Sequence, residues 1–227
     1  MKEENKQQIP GAEAEPGSFR LIATLGLAGF FSGLVLVSAF LYTQPMIQAN
    51  RQQALQQAIF KVLPGCVSYQ VLELRGSHLA VMEEGAPEPK EGEEVRRIYA
   101  GYDKKDKLVG FAISGEEPGY QDLIVAIFGY NPRKEIIIGF EVLESKETPG
   151  LGDKIMKDPA FMANFESLAV EPPITVVKKG EKKNSNEIEA ITGATISSKA
   201  VGRLLEKSMA EWRPLIGEYW KELKKKE

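Results

Sequence analysis

Residues 21–42 contain no charged side chain and are built mostly of Leu, Gly, Ala, Phe and Val. As a helix the run is about 33 Å long, enough to cross a hydrocarbon core of about 30 Å. A helix of that length packed inside a water-soluble protein shows a polar face, and this one shows none. A cleaved signal peptide fits less well, because the run outlasts a signal peptide's apolar core and the leader before it is acidic rather than basic. The sequence therefore predicts a retained transmembrane helix over 21–42, set in the lipid bilayer. The rest of the chain has to fold on one side of it or the other.

The flanks favour one side. Residues 1–20 are polar and carry Pro10, Gly11, Pro16 and Gly17, which predicts a disordered tail. Lys2, Lys6 and Arg20 precede the run within about 20 residues, against Arg51 and Lys61 after it. This narrow excess puts the tail in the cytoplasm and the bulk of the chain, residues 66–227, outside. The composition also excludes some chemistry. A net charge of −3 over 227 residues offers no basic surplus for nucleic acid. A single cysteine, Cys66, cannot form an internal disulfide or hold an iron–sulfur cluster, and a single histidine, His78, argues against a zinc site or a bis-histidine haem. No metal site is expected. Any redox chemistry points to an organic cofactor.

Past the anchor, residues 43–65 read as a linker helix: Leu55, Ala58, Ile59 and Val62 recur at helical spacing and Pro64-Gly65 stops it. The pattern then changes to strands. Residues 67–74 predict a strand, and residues 85–94, rich in proline and glutamate, a solvated loop. Two hairpins follow, over 98–113 and 123–140, each with Gly-Tyr before its polar turn and Gly-Phe after it. The echo is either an internal duplication or two hairpins obeying the same rules. Residues 158–168 predict a short helix with Phe161, Phe165 and Leu168 on one face. From about Ser198 a closing helix carries Val201, Leu204, Leu205, Met209 and Trp212 at core spacing, and Pro214 is expected to break or kink it. The fold class is α+β: a transmembrane helix, then an antiparallel sheet with flanking helices.

Two short stretches stand out from this frame. Glu147-Thr148-Pro149-Gly150-Leu151-Gly152 contains a type II turn signal, with Pro and Gly at the central positions and a further glycine after it. Thr192-Gly193-Ala194-Thr195-Ile196-Ser197-Ser198 crowds hydroxyls at the start of the closing helix, where free N–H groups and the helix dipole favour a phosphate. A capped helix start and a plain Pro-Gly turn account for either stretch alone.

Taken together and in this order, the two stretches resemble the FMN-binding domain of RnfG, the G subunit of the Rnf electron-transport complex. That family is related to NqrC of the sodium-pumping quinone reductase. With the anchor and Leu63-Pro64-Gly65, the resemblance spans nearly the whole chain. It implies a flavoprotein electron-transfer subunit of an ion-translocating ferredoxin:NAD oxidoreductase, with no independent turnover and no catalytic acid or base of its own. It also implies FMN joined through its phosphate to Thr195 as a phosphoester, outside the cytoplasm, by a separate flavin transferase. Thr192, Gly193, Ala194 and Ser197 then shape the attachment turn, while Glu147, Thr148, Gly150, Leu151 and Gly152 lie near the flavin. Partners would be the membrane and redox subunits of the complex. One departure is Glu189, where the family's motif opens with Asp. Other readings are an NqrC-like subunit, a stand-alone flavoprotein, or a membrane-anchored domain that only binds a partner.

Overall fold

A computed structural model describes residues 18–82 and 96–226. Of the disordered tail expected over 1–20, residues 1–17 lie outside the described residues and Ser18 to Arg20 instead form the first turn of a helix; the loop over 85–94 lies outside the described residues. The chain divides into two compact units, with the boundary between Arg51 and Gln52.

Helix α1 runs from Ser18 to Val62 without a break, passing through Pro45. In the first unit its large apolar side chains, among them Leu25, Phe30, Val35, Leu36 and Phe40, are exposed around the whole helix. This segment has the length and composition needed to cross a membrane.

The second unit is built on a seven-stranded antiparallel sheet. Its strands are β1 (Ser68–Arg75), β2 (His78–Val81), β3 (Arg97–Tyr102), β4 (Leu108–Pro118), β5 (Leu123–Asn131), β6 (Ile136–Glu144) and β7 (Leu168–Ala169). Their order is β2-β1-β3-β4-β5-β6-β7, and every pairing is antiparallel. Two short helices, α2 (Lys154–Lys157) and α3 (Pro159–Met162), lie between β6 and β7. Two further strands, β8 (Thr175–Val177) and β9 (Glu187–Glu189), pair in parallel beside the sheet. Helix α4 (Thr195–Lys226) covers one face of the large sheet, and the last turns of α1 cover the other. Successive residues of β4 show the division: Phe111 and Ile113 join the α4 core, while Ala112 between them packs with Ile59, Val62 and Leu63. Burial on both faces explains why the central strands read as nearly unbroken apolar runs.

The echo between the hairpins has a structural cause. The ladder shifts register between Gly101 and Tyr102, and again between Gly129 and Tyr130, so each Gly-Tyr marks a bulge or irregularity before its turn. Gly101 pairs with Gly110 and Gly129 with Gly139, which strips side chains from four neighbouring strands. The end of α1 fills the trough this leaves. A Cβ on Gly129 would stand 2.0 Å from the Val62 carbonyl oxygen, and one on Gly139 would stand 2.6 Å from it. On Gly101 it would meet Leu63 Cδ1 at 2.5 Å.

Three local expectations need correction. The helix expected over 158–168 is the single turn of α3, followed by a 3-10 turn (Ala163–Phe165) and then β7. The phenylalanines expected on one helix face still meet: Phe165 stacks on Phe140 at 4.4 Å and touches Phe161 edge-on at 5.2 Å. Pro214 neither breaks nor ends α4. A proline inside a helix costs about 3 kcal/mol, and buried Trp212, Ile216 and Trp220 on both sides of it hold the helix to the sheet. Finally, α4 starts at Thr195, three residues earlier than the hydroxyl cluster suggests.

Candidate functional site: a groove at the start of α4

Three connections converge at one end of the sheet. The first joins β4 to β5 and is closed by a hydrogen bond from the Gly119 N–H to the Asp122 carbonyl, at 2.9 Å. The second is the turn after β6: the Leu151 N–H donates to the Thr148 carbonyl at 3.1 Å, and Gly150 has φ +79°. The third turn leads into α4. There the Ala194 N–H donates to the Ile191 carbonyl at 3.0 Å, and Gly193 has φ +85°. Both turns after the sheet therefore place glycine where only a left-handed residue fits. Ser198 locks the last of them: its hydroxyl accepts from the Ile191 N–H at 3.1 Å and donates to the Ala194 carbonyl at 2.9 Å.

Between these connections lies a groove lined by Tyr120, Glu147, Thr148, Leu151, Gly152, Gly193, Ala194, Thr195, Ile196 and Ser197. The structure thus brings most of the expected site residues into one setting, although Glu147 and Ser197 are separated by 50 positions. Two of the expected residues do not line it. Gly150 shapes its turn and donates its N–H to Asp153 at 2.7 Å. Thr192 lines a neighbouring pocket with Lys154, Lys179 and Glu189. Glu189 is engaged away from the groove as well, its carboxylate accepting from the Gly180 N–H.

The aliphatic hydroxyls of the groove differ in what they have free. Thr148 donates to the Gln121 side-chain oxygen at 3.0 Å, and buried Ser197 donates to Glu147 at 2.6 Å. Thr195 is exposed, and its hydroxyl has no hydrogen-bond partner among the described residues. It is also the first residue of a 32-residue helix. Ala194, immediately before it, carries no side-chain oxygen to cap the free N–H groups of the first turn. An open hydroxyl and uncapped amides at the positive end of a long helix suit a phosphate group.

Glu147 is the charged centre of the wall. Burial works against its ionisation, but the hydroxyl of Ser197 and the N–H groups of Gln121 and Tyr120 outweigh it and hold its carboxyl below the ordinary range. Sequence reasoning placed Glu147 near a ligand and did not foresee that its oxygens are taken up by the protein. Gly119 and Ile196 were missed altogether; the Pro118-Gly119 pair at the strand end was the available signal for the former. Among the described residues no cluster of three or more His, Cys, Asp or Glu could hold a metal ion.

Comparison with known proteins meets this geometry directly. The FMN-binding domain family matches residues 119–210, which run from the β4–β5 connection through both turns and into α4. The G subunit of the ion-translocating oxidoreductase complex of Methanosarcina acetivorans is 26% identical over 80% of this chain and 87% of its own length. The G subunit of the Na(+)-translocating ferredoxin:NAD(+) oxidoreductase complex of Acetobacterium woodii is 29% identical over 81% of this chain and 87% of its own. Over most of its length the chain is similar to these G subunits, and the FMN-binding domain match falls on the segment that builds the groove. Among solved structures, Shewanella oneidensis NqrC superposes with a TM-score of 0.58 at 19% identity, over 70% of this chain and 91% of that one. The C subunit of the Parabacteroides distasonis Na(+)-translocating NADH-quinone reductase gives 0.58 at 18% identity, over 74% and 94%. At these identities the likeness is one of fold.

Proposed function

We propose that this chain is the membrane-anchored flavoprotein subunit of an Rnf-type ion-translocating ferredoxin:NAD oxidoreductase complex, carrying FMN as a phosphoester on Thr195. The single observation behind the attachment point is the state of the groove's aliphatic hydroxyls: Thr148 and Ser197 are committed as donors, and Thr195 is open. The groove also fits the group. Gly193 leaves its wall without a Cβ atom, and the first-turn N–H groups of α4 offer the phosphate its donors. Tyr120, Leu151 and Ile196 add exposed apolar surface for a flat ring.

In the attachment step, the Thr195 hydroxyl oxygen forms a bond to the flavin's phosphorus as the phosphoanhydride of an activated flavin donor breaks. The hydroxyl proton leaves to a base on the flavin transferase, and the nucleotide departs as phosphate monoester. A threonine hydroxyl is a weak nucleophile without such activation. Once bound, FMN supplies one- and two-electron redox chemistry, while the protein supplies position and field. The role is an electron relay with no turnover of its own. The 21–42 segment of α1 serves as the lipid anchor, the N-terminal tail stays cytoplasmic, and the unit from Gln52 onward works on the outer side against the other membrane and redox subunits. The names of the relatives by sequence favour this reading over an NqrC-like one, whose support is likeness of fold.

The test is peptide mass spectrometry on the full chain produced together with a competent flavin transferase. The expected result is the FMN mass on the peptide holding Thr195, with in-gel flavin fluorescence that survives denaturation and disappears in Thr195→Ala. An unmodified Thr195 in that material refutes the proposal and leaves a domain that only binds partners.

A further inference from the structure

We propose, building on the reading of the groove as the FMN seat, that Glu147 is a positioning residue: a buried anion that clasps the segments bordering the groove and keeps the flavin's potential low. Glu147 is only 6% exposed. One carboxylate oxygen accepts from the Tyr120 N–H at 2.7 Å and the Gln121 N–H at 3.0 Å. The other accepts from the Ser197 hydroxyl at 2.6 Å. A single side chain on the turn after β6 thereby holds both the β4–β5 connection and the first turn of α4. Gln121, fixed in this way, returns the contact by accepting from Thr148.

The niche is cut to this carboxylate. A Cβ on Gly119 would stand 2.3 Å from one of its oxygens, and a Cβ on Gly152 would stand 2.3 Å from the other. Two glycines on separate connections are thus given up to admit one charge. Burying a carboxylate is expensive, and an apolar side chain would join three segments at lower cost. Charge-assisted hydrogen bonds offset the desolvation and add direction that an apolar contact lacks. The charge has a second effect. A fixed negative charge in the groove wall opposes the added negative charge of a reduced flavin, so it favours the oxidised form.

The experiment uses the full chain with and without flavin. Flavin-free protein comes from the Thr195→Ala background, in which amide exchange is followed at Tyr120, Gln121 and the start of α4. Glu147→Ala should speed exchange at Tyr120 and Gln121 at least tenfold and, in the chain that keeps Thr195, lower flavin occupancy. Glu147→Gln, whose amide oxygen still accepts both N–H groups, should restore slow exchange and occupancy. It should also raise the midpoint potential by about 30 mV, a tenfold shift in a two-electron couple. Ser197→Ala should loosen only the start of α4. Unchanged exchange in Glu147→Ala overturns the clasp, and an unmoved potential in Glu147→Gln overturns the charge effect. Should Glu147→Ala fail to fold, the Gln and Ser197→Ala variants decide the matter by themselves. A parent chain without flavin on Thr195 refutes the proposed function, while the exchange data still judge the clasp.

Discussion

Replacing Gly129 with alanine adds one methyl group at the point where α1 lies closest to the sheet. The added Cβ would stand 2.0 Å from the Val62 carbonyl oxygen and 2.9 Å from its carbon. Ordinary contact begins at about 3.4 Å, so Val62 has to retreat by about 1.4 Å. It has nowhere to go without lifting Ile59, Val62 and Leu63, all fully buried. Gly129 has no left-handed φ, so alanine meets no backbone penalty and the whole cost is steric. Overpacking of a tight core costs about 1–3 kcal/mol, and a clash with a backbone atom belongs at the upper end, about 2–3 kcal/mol. In a domain of this size each kcal/mol is worth roughly 2–4 °C, which predicts a melting point lower by about 4–12 °C. Differential scanning calorimetry on detergent-solubilised chain measures it. Gly217→Ala is the matched control: it lies in α4 with nothing within 4 Å of its added Cβ. That change should be neutral or stabilise by about 0.5–1 kcal/mol through the unfolded state. If Gly129→Ala melts within about 1 °C of the parent, the trough is not what the hairpin glycines are for.

Two other outcomes follow from the site and its supports. Gly193→Ala forces a φ of +85° on a residue with a Cβ; it should cost about 1–2 kcal/mol and lower flavin attachment while leaving Thr195 in place, read by melting point and flavin absorbance. Glu117 is buried, and although burial opposes its charge, hydrogen bonds from Arg203, at 2.7 Å, and from Lys207 hold its carboxyl low, as happens at Glu147. A carboxyl with a depressed folded value gives stability that is full above the unfolded value of about 4.3 and is lost as the pH falls through the folded one. The melting-point gap between parent and Glu117→Gln should therefore be widest above about pH 5 and close in stronger acid; a gap that widens on acidification contradicts the assignment.

Much of the frame could be read from residues alone because its forces are local. Alternation and apolar runs mark β1 and the two hairpins, and Pro64-Gly65 ends α1 where expected. The misreadings share a different character. Phe161, Phe165 and Leu168 have helical spacing, yet they serve a 3-10 turn and a short strand because Phe140 and β6 recruit them. Pro214 carries a strong local signal for a helix break that the tryptophans around it override. The two glycine-bearing turns were visible as turns, and their meeting was not: Gly193 and Leu151 come within reach only through the fold. The same holds for Glu147. Nothing around it in the sequence shows that its partners are Tyr120, Gln121 and Ser197, or that Gly119 and Gly152 are small on its account.

Helix α4 carries the open hydroxyl on its first residue and spends its length plugging the sheet, with Val201, Leu204, Leu205 and Met209 inside the core. Scaffold and socket are therefore one object. A void opened three turns down the helix would be felt at its tip as a tilt of the wall that Thr195, Ile196 and Ser197 give to the groove.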